Sequence, residues 1–168
     1  MRDAFIGTHS TFARLHAAEA EVETFIHGAE RFAVAALDGP EMVAWIGWIT
    51  AYPHGWELHP LVVAPSHQRQ GIGTQLVREL ERRARAAGIL TLILGADDED
   101  GGTNLYGVNL FPDVLHHART AEQTTRHPIA FYRKLGFEVV GVLPSIEFML
   151  PRCAWGFDRV GRSRVGTL

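Results

Sequence analysis

The chain has 168 residues, 46% of them hydrophobic, with 16 basic against 19 acidic side chains for a net charge of −3. That length and apolar fraction suit one packed domain over residues 1–168 and exclude intrinsic disorder, while the near-balanced charge excludes a dedicated nucleic-acid binder. Apolar runs such as 61–64 and 89–94 are too short to cross a membrane, the first residues lack the apolar core of a secretion signal, and Cys153, the single cysteine, can form no internal disulfide; the expectation is a soluble cytoplasmic protein.

In chain order, Ser10-Thr11 can cap a helix whose apolar positions Phe12, Leu15, Ala18, Val22 and Ile26 keep helical spacing up to Gly28. Arg31 to Leu37 and Met42 to Ile49 read as two strands joined by the hairpin signal Asp38-Gly39-Pro40. Trp56 to Val63 is a third strand, interrupted by Pro60, which cannot donate to a ladder and so predicts a bulge or a strand splaying from its neighbour. From about Thr74 to Ala87 a helix turns Leu76, Val77, Leu80, Ala84 and Ala87 inward and Arg78, Arg82 and Arg85 outward, and Gly88 stops it. Ile89 to Leu94 has the composition of a buried strand. The weakly periodic stretch Gly95 to Thr125 is long enough to be functional or partly helical. Pro128 opens a short helix ending at Gly136, and Phe137 to Val142 is another strand. The order predicts a mixed α/β domain with one sheet, followed by an irregular tail from about residue 151.

Charge is distributed unevenly. Asp97, Asp98, Glu99, Asp100, Asp113 and Glu122 face only Arg119 between residues 93 and 125. A solvated acidic loop and a pocket for a cation both fit that pattern. His116-His117 lack the spacing of a helical ligand pair, so no metal is expected, and Cys153 has no base close by in sequence.

The informative stretch is Leu61-Val62-Val63-Ala64-Pro65-Ser66-His67-Gln68-Arg69-Gln70-Gly71-Ile72-Gly73-Thr74, in which a strand runs through a glycine-containing turn straight into a helix. Glycines let backbone N–H groups approach a ligand, and the helix N-terminus adds partial positive charge, which together suit a pyrophosphate. A nucleotide P-loop would need Gly-Lys-Ser/Thr, yet Thr74 follows Gly73; a dinucleotide fold would need a third glycine where Leu76 stands. Both readings fail.

Gln68-x-x-Gly71-x-Gly73 after an interrupted strand resembles the acetyl-CoA loop of the GNAT N-acetyltransferases, and Pro128-Ile129-Ala130-Phe131-Tyr132-Arg133-Lys134-Leu135-Gly136-Phe137 resembles the family's later helix with its acid tyrosine. Trp56-Glu57-Leu58-His59-Pro60-Leu61-Val62-Val63, Leu94-Gly95-Ala96-Asp97-Asp98 and His127-Pro128 through Gly141-Val142-Leu143-Pro144 are similar to the aminoglycoside 6′-N-acetyltransferases. The resemblance covers about Arg31 to Pro144. It implies a GNAT fold of α+β class, a mostly antiparallel mixed sheet flanked by helices. The family's opening strand is expected to be absent here, and its last hairpin shortened or replaced.

The resemblance also implies roles. Leu61, Val62 and Val63 would pair with the pantetheine arm of acetyl-CoA as co-substrate, the Leu61 N–H facing the thioester oxygen. Gln68, Arg69, Gln70, Gly71, Ile72, Gly73 and Thr74 would hold the pyrophosphate, and Tyr132 would protonate the departing thiolate. Lys134 is read either as reaching a CoA phosphate or as a solvated helix-face lysine. An alkylamine with a pKa near 10.4 is only about 0.1% neutral near pH 7.5, a penalty of roughly 4 kcal/mol, so a base is needed. Glu57 is the candidate for orienting the amine and receiving its proton. His59 lies two residues on, and Asp97 and Asp98 would bind the other charges of a polycationic acceptor. Acids that attract an ammonium also stabilise it, which assigns Asp97 and Asp98 to binding rather than proton transfer. The implied reaction is acetylation of the 6′-amine of an aminoglycoside by direct attack in a ternary complex. A polyamine or protein amine is the alternative acceptor, and a CoA-binding module without turnover is the alternative outside catalysis. Related enzymes dimerise, so a homodimer is implied as well, with no nucleic-acid or membrane partner.

Overall fold

Asp38-Gly39-Pro40 turns the chain as its composition requires: β1 (Arg31–Asp38) ends there, Gly39 takes φ 57°, and β2 (Glu41–Tyr52) returns antiparallel, with Ala35 opposite Trp45. The structure, a computed structural model, describes residues 15–143 and the backbone of 154–158. Ahead of the hairpin lies α1 (Leu15–His27). After it come β3 (Gly55–Val63), one 3₁₀ turn at Pro65–His67, α2 (Ile72–Ala86), β4 (Thr91–Leu94), α3 (Val114–Arg119), α4 (Ile129–Lys134), β5 (Glu138–Leu143) and β6 (Ala154–Asp158).

The strands form one six-stranded sheet in the order β1-β2-β3-β4-β6-β5. All neighbours are antiparallel except β3 and β4, which run parallel through Gly55–Thr91, Trp56–Leu92 and Glu57–Ile93. The expected mixed, mostly antiparallel sheet flanked by helices is therefore present. α2 lays Leu76, Val77, Leu80 and Ala84 against Ala44, Ile46, Trp48 and Leu58, with Ile129 and Phe137 completing that core. On the opposite face α1 covers Trp45 and Val62 with Phe25. The stop at Gly88 is a Schellman turn: at φ 73° its N–H reaches Arg85 O (3.2 Å), and the Ile89 N–H reaches Ala84 O (2.9 Å).

Two sequence expectations change. The strand expected over 89–94 is paired only over 91–94, because the helix cap consumes Ile89 and the Leu90 N–H goes to His54 O (2.9 Å). The tail expected to be irregular contains β6, which enters the sheet between β4 and β5 with Leu94 opposite Phe157 and Val142 opposite Trp155. Five residues with alternating aromatics are a weak signal in a glycine- and arginine-containing segment, and pairing on both edges supplies what local propensity does not. The cap at Ser10-Thr11, the expected loss of an opening strand and Cys153 lie outside the described residues. Among those residues no helix is long and apolar enough to cross a membrane.

Candidate active site

Pro60 produces both effects expected of it. Leu58 stands opposite Trp48 and Leu61 opposite Ile46, so His59 and Pro60 share the single residue Gly47 across the ladder. The extra residue keeps Leu58, Leu61 and Val63 together on the α2 side, although the step from 58 to 61 is odd. Glu57, His59 and Val62 turn toward α1. Beyond Glu57 and Ile93, β3 and β4 no longer pair. The sheet opens there into a cleft of about 1300 Å³, walled by Glu57 to Val63 on one side and Gly95 to Asp100 on the other.

Backbone donors line this opening. The Ala64 N–H points to β2, bonding Val43 O at 2.8 Å. Strand alternation turns the Val62 N–H the same way and leaves the N–H groups of Leu61 and Val63 on the edge that β4 has vacated. Gln68 ties the following turn to this edge by donating Nε2–H to Val63 O (3.1 Å), and Gln70 holds the turn through Ser66 O (3.1 Å). Arg69 (φ 61°) and Gly71 (φ 86°) both take left-handed backbone, which brings successive N–H groups round to one side. The first back-bond of α2 is Gln75 N–H to Gly71 O, so Ile72, Gly73 and Thr74 present N–H groups without an intrahelical acceptor. Gln68, Arg69, Gly71, Gly73 and Thr74 line the cleft; Gln70 and Ile72 do not, the Gln70 side chain being turned back to Ser66 O and that of Ile72 packed on the core. An extended amide arm along Leu61 and Val63 with a diphosphate at Gly71 to Thr74 matches these donors.

α4 closes the same cleft with Phe131 and Tyr132. Tyr132 is 6% exposed and packs edge-on against Phe131 (5.0 Å) and Phe137 (5.6 Å), and burial pushes its phenol pKa well above the ordinary value. Lys134 does not line this cleft. It borders a separate one of about 460 Å³ with Arg78, Glu81, Arg85 and Leu135, where its side chain is exposed. His116 and His117 lie on α3, outside both.

On the α1 side the expected residues separate. Glu57 lines the cleft, half-buried between Ile49 and Ile93. His59 lines it too, but its Nε2 lies 3.2 Å from Glu21 of α1, which also faces Arg31 at 3.9 Å. Asp97 is exposed at the mouth. Asp98 is 1% exposed, and its carboxylate accepts the N–H of Gly102 (2.6 Å), the N–H of Thr103 (3.0 Å) and the Thr103 hydroxyl (2.6 Å). Sequence reasoning paired the two acids as substrate ligands; the structure commits Asp98 to building the loop that displays Asp97, because it is buried and three loop donors already occupy its carboxylate.

A pyrophosphate-type turn, free strand-edge donors and a buried tyrosine converge on a gap within one sheet. Residues 2–108 match the model of the acetyltransferase (GNAT) family. The chain belongs to that family. This GNAT acetyltransferase is similar to the crystal structure of an aminoglycoside 6′-N-acetyltransferase complexed with coenzyme A, at 39% identity over 86% of this chain and 79% of that one, with a TM-score of 0.79. It is also similar to the aminoglycoside 6′-N-acetyltransferase from Enterococcus faecium (38% identity, 87% and 84% coverage, TM-score 0.77) and to an aminoglycoside 6′-acetyltransferase type Ii (34%, 86% and 77%, 0.63). No curated protein matches it.

Three features of the acetyltransferase's site had no assignment from sequence. His127 lines the cleft at 7% exposure, Arg126 stands beside it, and Glu21 reaches His59 from α1. For His127 the one available signal was its place before Pro128 at a helix start. Glu21 had none, since its partner lies 38 residues away on another element. Burial lowers the His127 pKa, with the charge of Asp98 and the carbonyls of Asp97 and Ala96 acting in the opposite direction.

Proposed function

We propose that this acetyltransferase moves the acetyl group of acetyl-CoA to the 6′-amine of an aminoglycoside by direct attack in a ternary complex. The carrying observation is the gap between β3 and β4: Tyr132 and the Gly71–Thr74 donors lie on its α2 side, Glu57 and His59 on its α1 side, and both groups line one cleft. Two substrates can meet there without exchanging places, so no acyl-enzyme is needed. The aminoglycoside assignment is supported by the similarity to three enzymes of that specificity.

In this reading Glu57 orients the amine and receives its proton. The Leu61 N–H, on the vacated strand edge, stabilises charge developing on the thioester oxygen. Tyr132 donates its O–H proton to the departing sulfur as the C–S bond breaks. Its raised pKa keeps the phenol protonated between turnovers, so a tyrosinate does not accumulate. Asp97, Glu99 and Asp100 give the acceptor's mouth a negative field suited to further ammonium groups. The lone cysteine of the sequence supports a reducing cytoplasm as the setting.

The deciding experiment follows thiol release from acetyl-CoA with kanamycin and with an aminoglycoside carrying a 6′-hydroxyl in place of the amine. Turnover with kanamycin alone supports 6′-N-acetylation. Turnover with both moves the reaction to another amine, and acetyl-CoA binding without turnover on either overturns the acceptor assignment.

A further inference from the structure

His127 stands where the acceptor loop and the tyrosine helix meet. Its Nδ1 accepts the N–H of Ile129 at 3.2 Å, forming a side-chain turn that opens α4; one turn on, the Tyr132 N–H bonds Pro128 O at 3.1 Å. The donor is a backbone amide, so this nitrogen carries the lone pair and the ring is neutral in this arrangement. From the other side the acidic loop presses onto the same residue. A Cβ on Gly102 would stand 2.8 Å from His127 Cβ and 2.5 Å from the Arg126 carbonyl oxygen. That approach is held at both ends. Asp98 takes the Gly102 N–H (2.6 Å), and Gly102 O accepts the N–H groups of Thr124 (2.8 Å) and Thr125 (3.3 Å).

We propose that His127 is a positioning residue: its Nδ1 lone pair fixes the start of α4, and with it the place of the Tyr132 hydroxyl in the cleft, against the loop that displays Asp97. The inference rests on the reading of Tyr132 as proton donor. Protonation of the ring would replace the lone pair by a second donor facing the Ile129 N–H, and the turn would open. Asp97 and Asp98 face the ring from the loop, Arg126 adjoins it in the chain, and Tyr132 faces the same cleft from α4. The two carboxylates favour the charged form, and burial outweighs them.

The test compares His127→Asn with His127→Leu, each with Tyr132 intact and in the Tyr132→Phe background, following kcat, the KM for acetyl-CoA and the pH profile. Asn can accept the Ile129 N–H through Oδ1 but does not titrate; Leu fills the space and accepts nothing. With Tyr132 intact, Leu is expected to lower kcat about tenfold with little change in KM, and to cost less than about twofold once Tyr132 is Phe. Asn is expected to hold kcat within about threefold and to move the acid limb of kcat to lower pH. Equal losses in both backgrounds, an Asn variant as slow as Leu, or an unmoved acid limb would each overturn the proposal. Should His127→Leu not fold, the Asn variant decides alone: retained kcat with a shifted limb supports the role, and lost kcat ends it. An unaltered kcat in Tyr132→Phe itself would instead overturn the proton-donor reading on which this inference stands.

Discussion

A Cβ on Gly47 would stand 2.6 Å from the carbonyl oxygen of His59 and 2.6 Å from the ring of Phe25. The bulge in β3 is seated on a residue without a side chain, between a backbone oxygen that cannot swing away and a helix aromatic already packed on Trp45 at 5.4 Å. Gly47→Ala should therefore cost about 1–3 kcal/mol of stability, read as a lower denaturant midpoint at unchanged slope. Because the same bulge aims Leu61, kcat should fall as well. An unmoved midpoint would mean that the ladder absorbs the methyl group by shifting, and that the bulge needs no glycine beneath it.

The two glycines at the start of α2, Gly71 at its N-cap and Gly73 in its first turn, should behave differently. Gly71 has φ 86°, and a Cβ added there would meet nothing within 4 Å, so Gly71→Ala costs about 1 kcal/mol in backbone strain rather than in collision. At Gly73 a Cβ would meet Phe131 at 3.5 Å and Val63 at 3.7 Å, ordinary contact distances. Gly73→Ala should leave the melting temperature unchanged while raising the KM for acetyl-CoA, since the methyl group enters the space between α2, β3 and α4. Calorimetric titration of acetyl-CoA into both variants checks this; equal affinity in wild type and Gly73→Ala would remove the turn from the acetyl-CoA site.

Asp97 and Asp98 should separate in the same way. Asp98→Asn replaces one accepting oxygen by an amide that must face N–H or O–H donors, so it should destabilise the protein by about 1–3 kcal/mol. Asp97→Asn should leave stability alone and raise the KM of a polycationic amine more than that of a monoamine. Equal KM effects on the two amines would sink the cation-pocket reading, and an Asp98→Asn variant of wild-type stability would undo its structural assignment.

Tyr132→Phe keeps the ring contacts to Phe131 and Phe137 and removes only the hydroxyl. We expect kcat to fall about tenfold with acetyl-CoA affinity retained, and not to vanish, because a thiol of pKa near 8.5 still leaves without full proton transfer. The raised phenol pKa adds a sign: Tyr132 should contribute no alkaline limb to kcat below about pH 10. A limb near neutrality that vanishes in the Phe variant would contradict its burial.

His127 also sets a direction for stability against pH. Its folded pKa lies below the unfolded imidazole value of about 6.5, so the unfolded chain takes up the proton first as the pH falls. Its contribution is full above that value, declines as the pH drops through it, and levels off below the folded pKa. Denaturation of wild type and His127→Asn between about pH 7.5 and 5 should show the shallower fall in the variant. Parallel curves would mean that another group carries the acid sensitivity.

Much of this was legible in the sequence wherever a local rule decides the outcome. Pro60 announced the break in the ladder, the glycines after Val63 announced the turn, and the spacing of Leu76, Val77, Leu80 and Ala84 gave the buried face of α2. Acetyl-CoA and Tyr132 came instead from resemblance, since no period or spacing distinguishes an acid tyrosine from a packed one. What stayed hidden depends on partners distant in the chain. Asp97 and Asp98 are neighbours of identical chemistry, and only the position of Gly102 and Thr103 turns one inward. Glu21 gains its meaning from His59, and β6 from two strands that flank it.

Since β3 and β4 part company after three paired residues, the reactive centre is bordered by main chain as much as by side chains. A substitution at Leu61 or Val63 that keeps an apolar side chain of similar size against the α2 core leaves the N–H groups in place. The wall proposed to face the acceptor has no such protection, being made of Glu57, His59 and an acidic loop. On the proposed reading, a lineage carrying this fold can therefore drift from one amine to another through that wall while the half of the site assigned to the thioester is inherited intact.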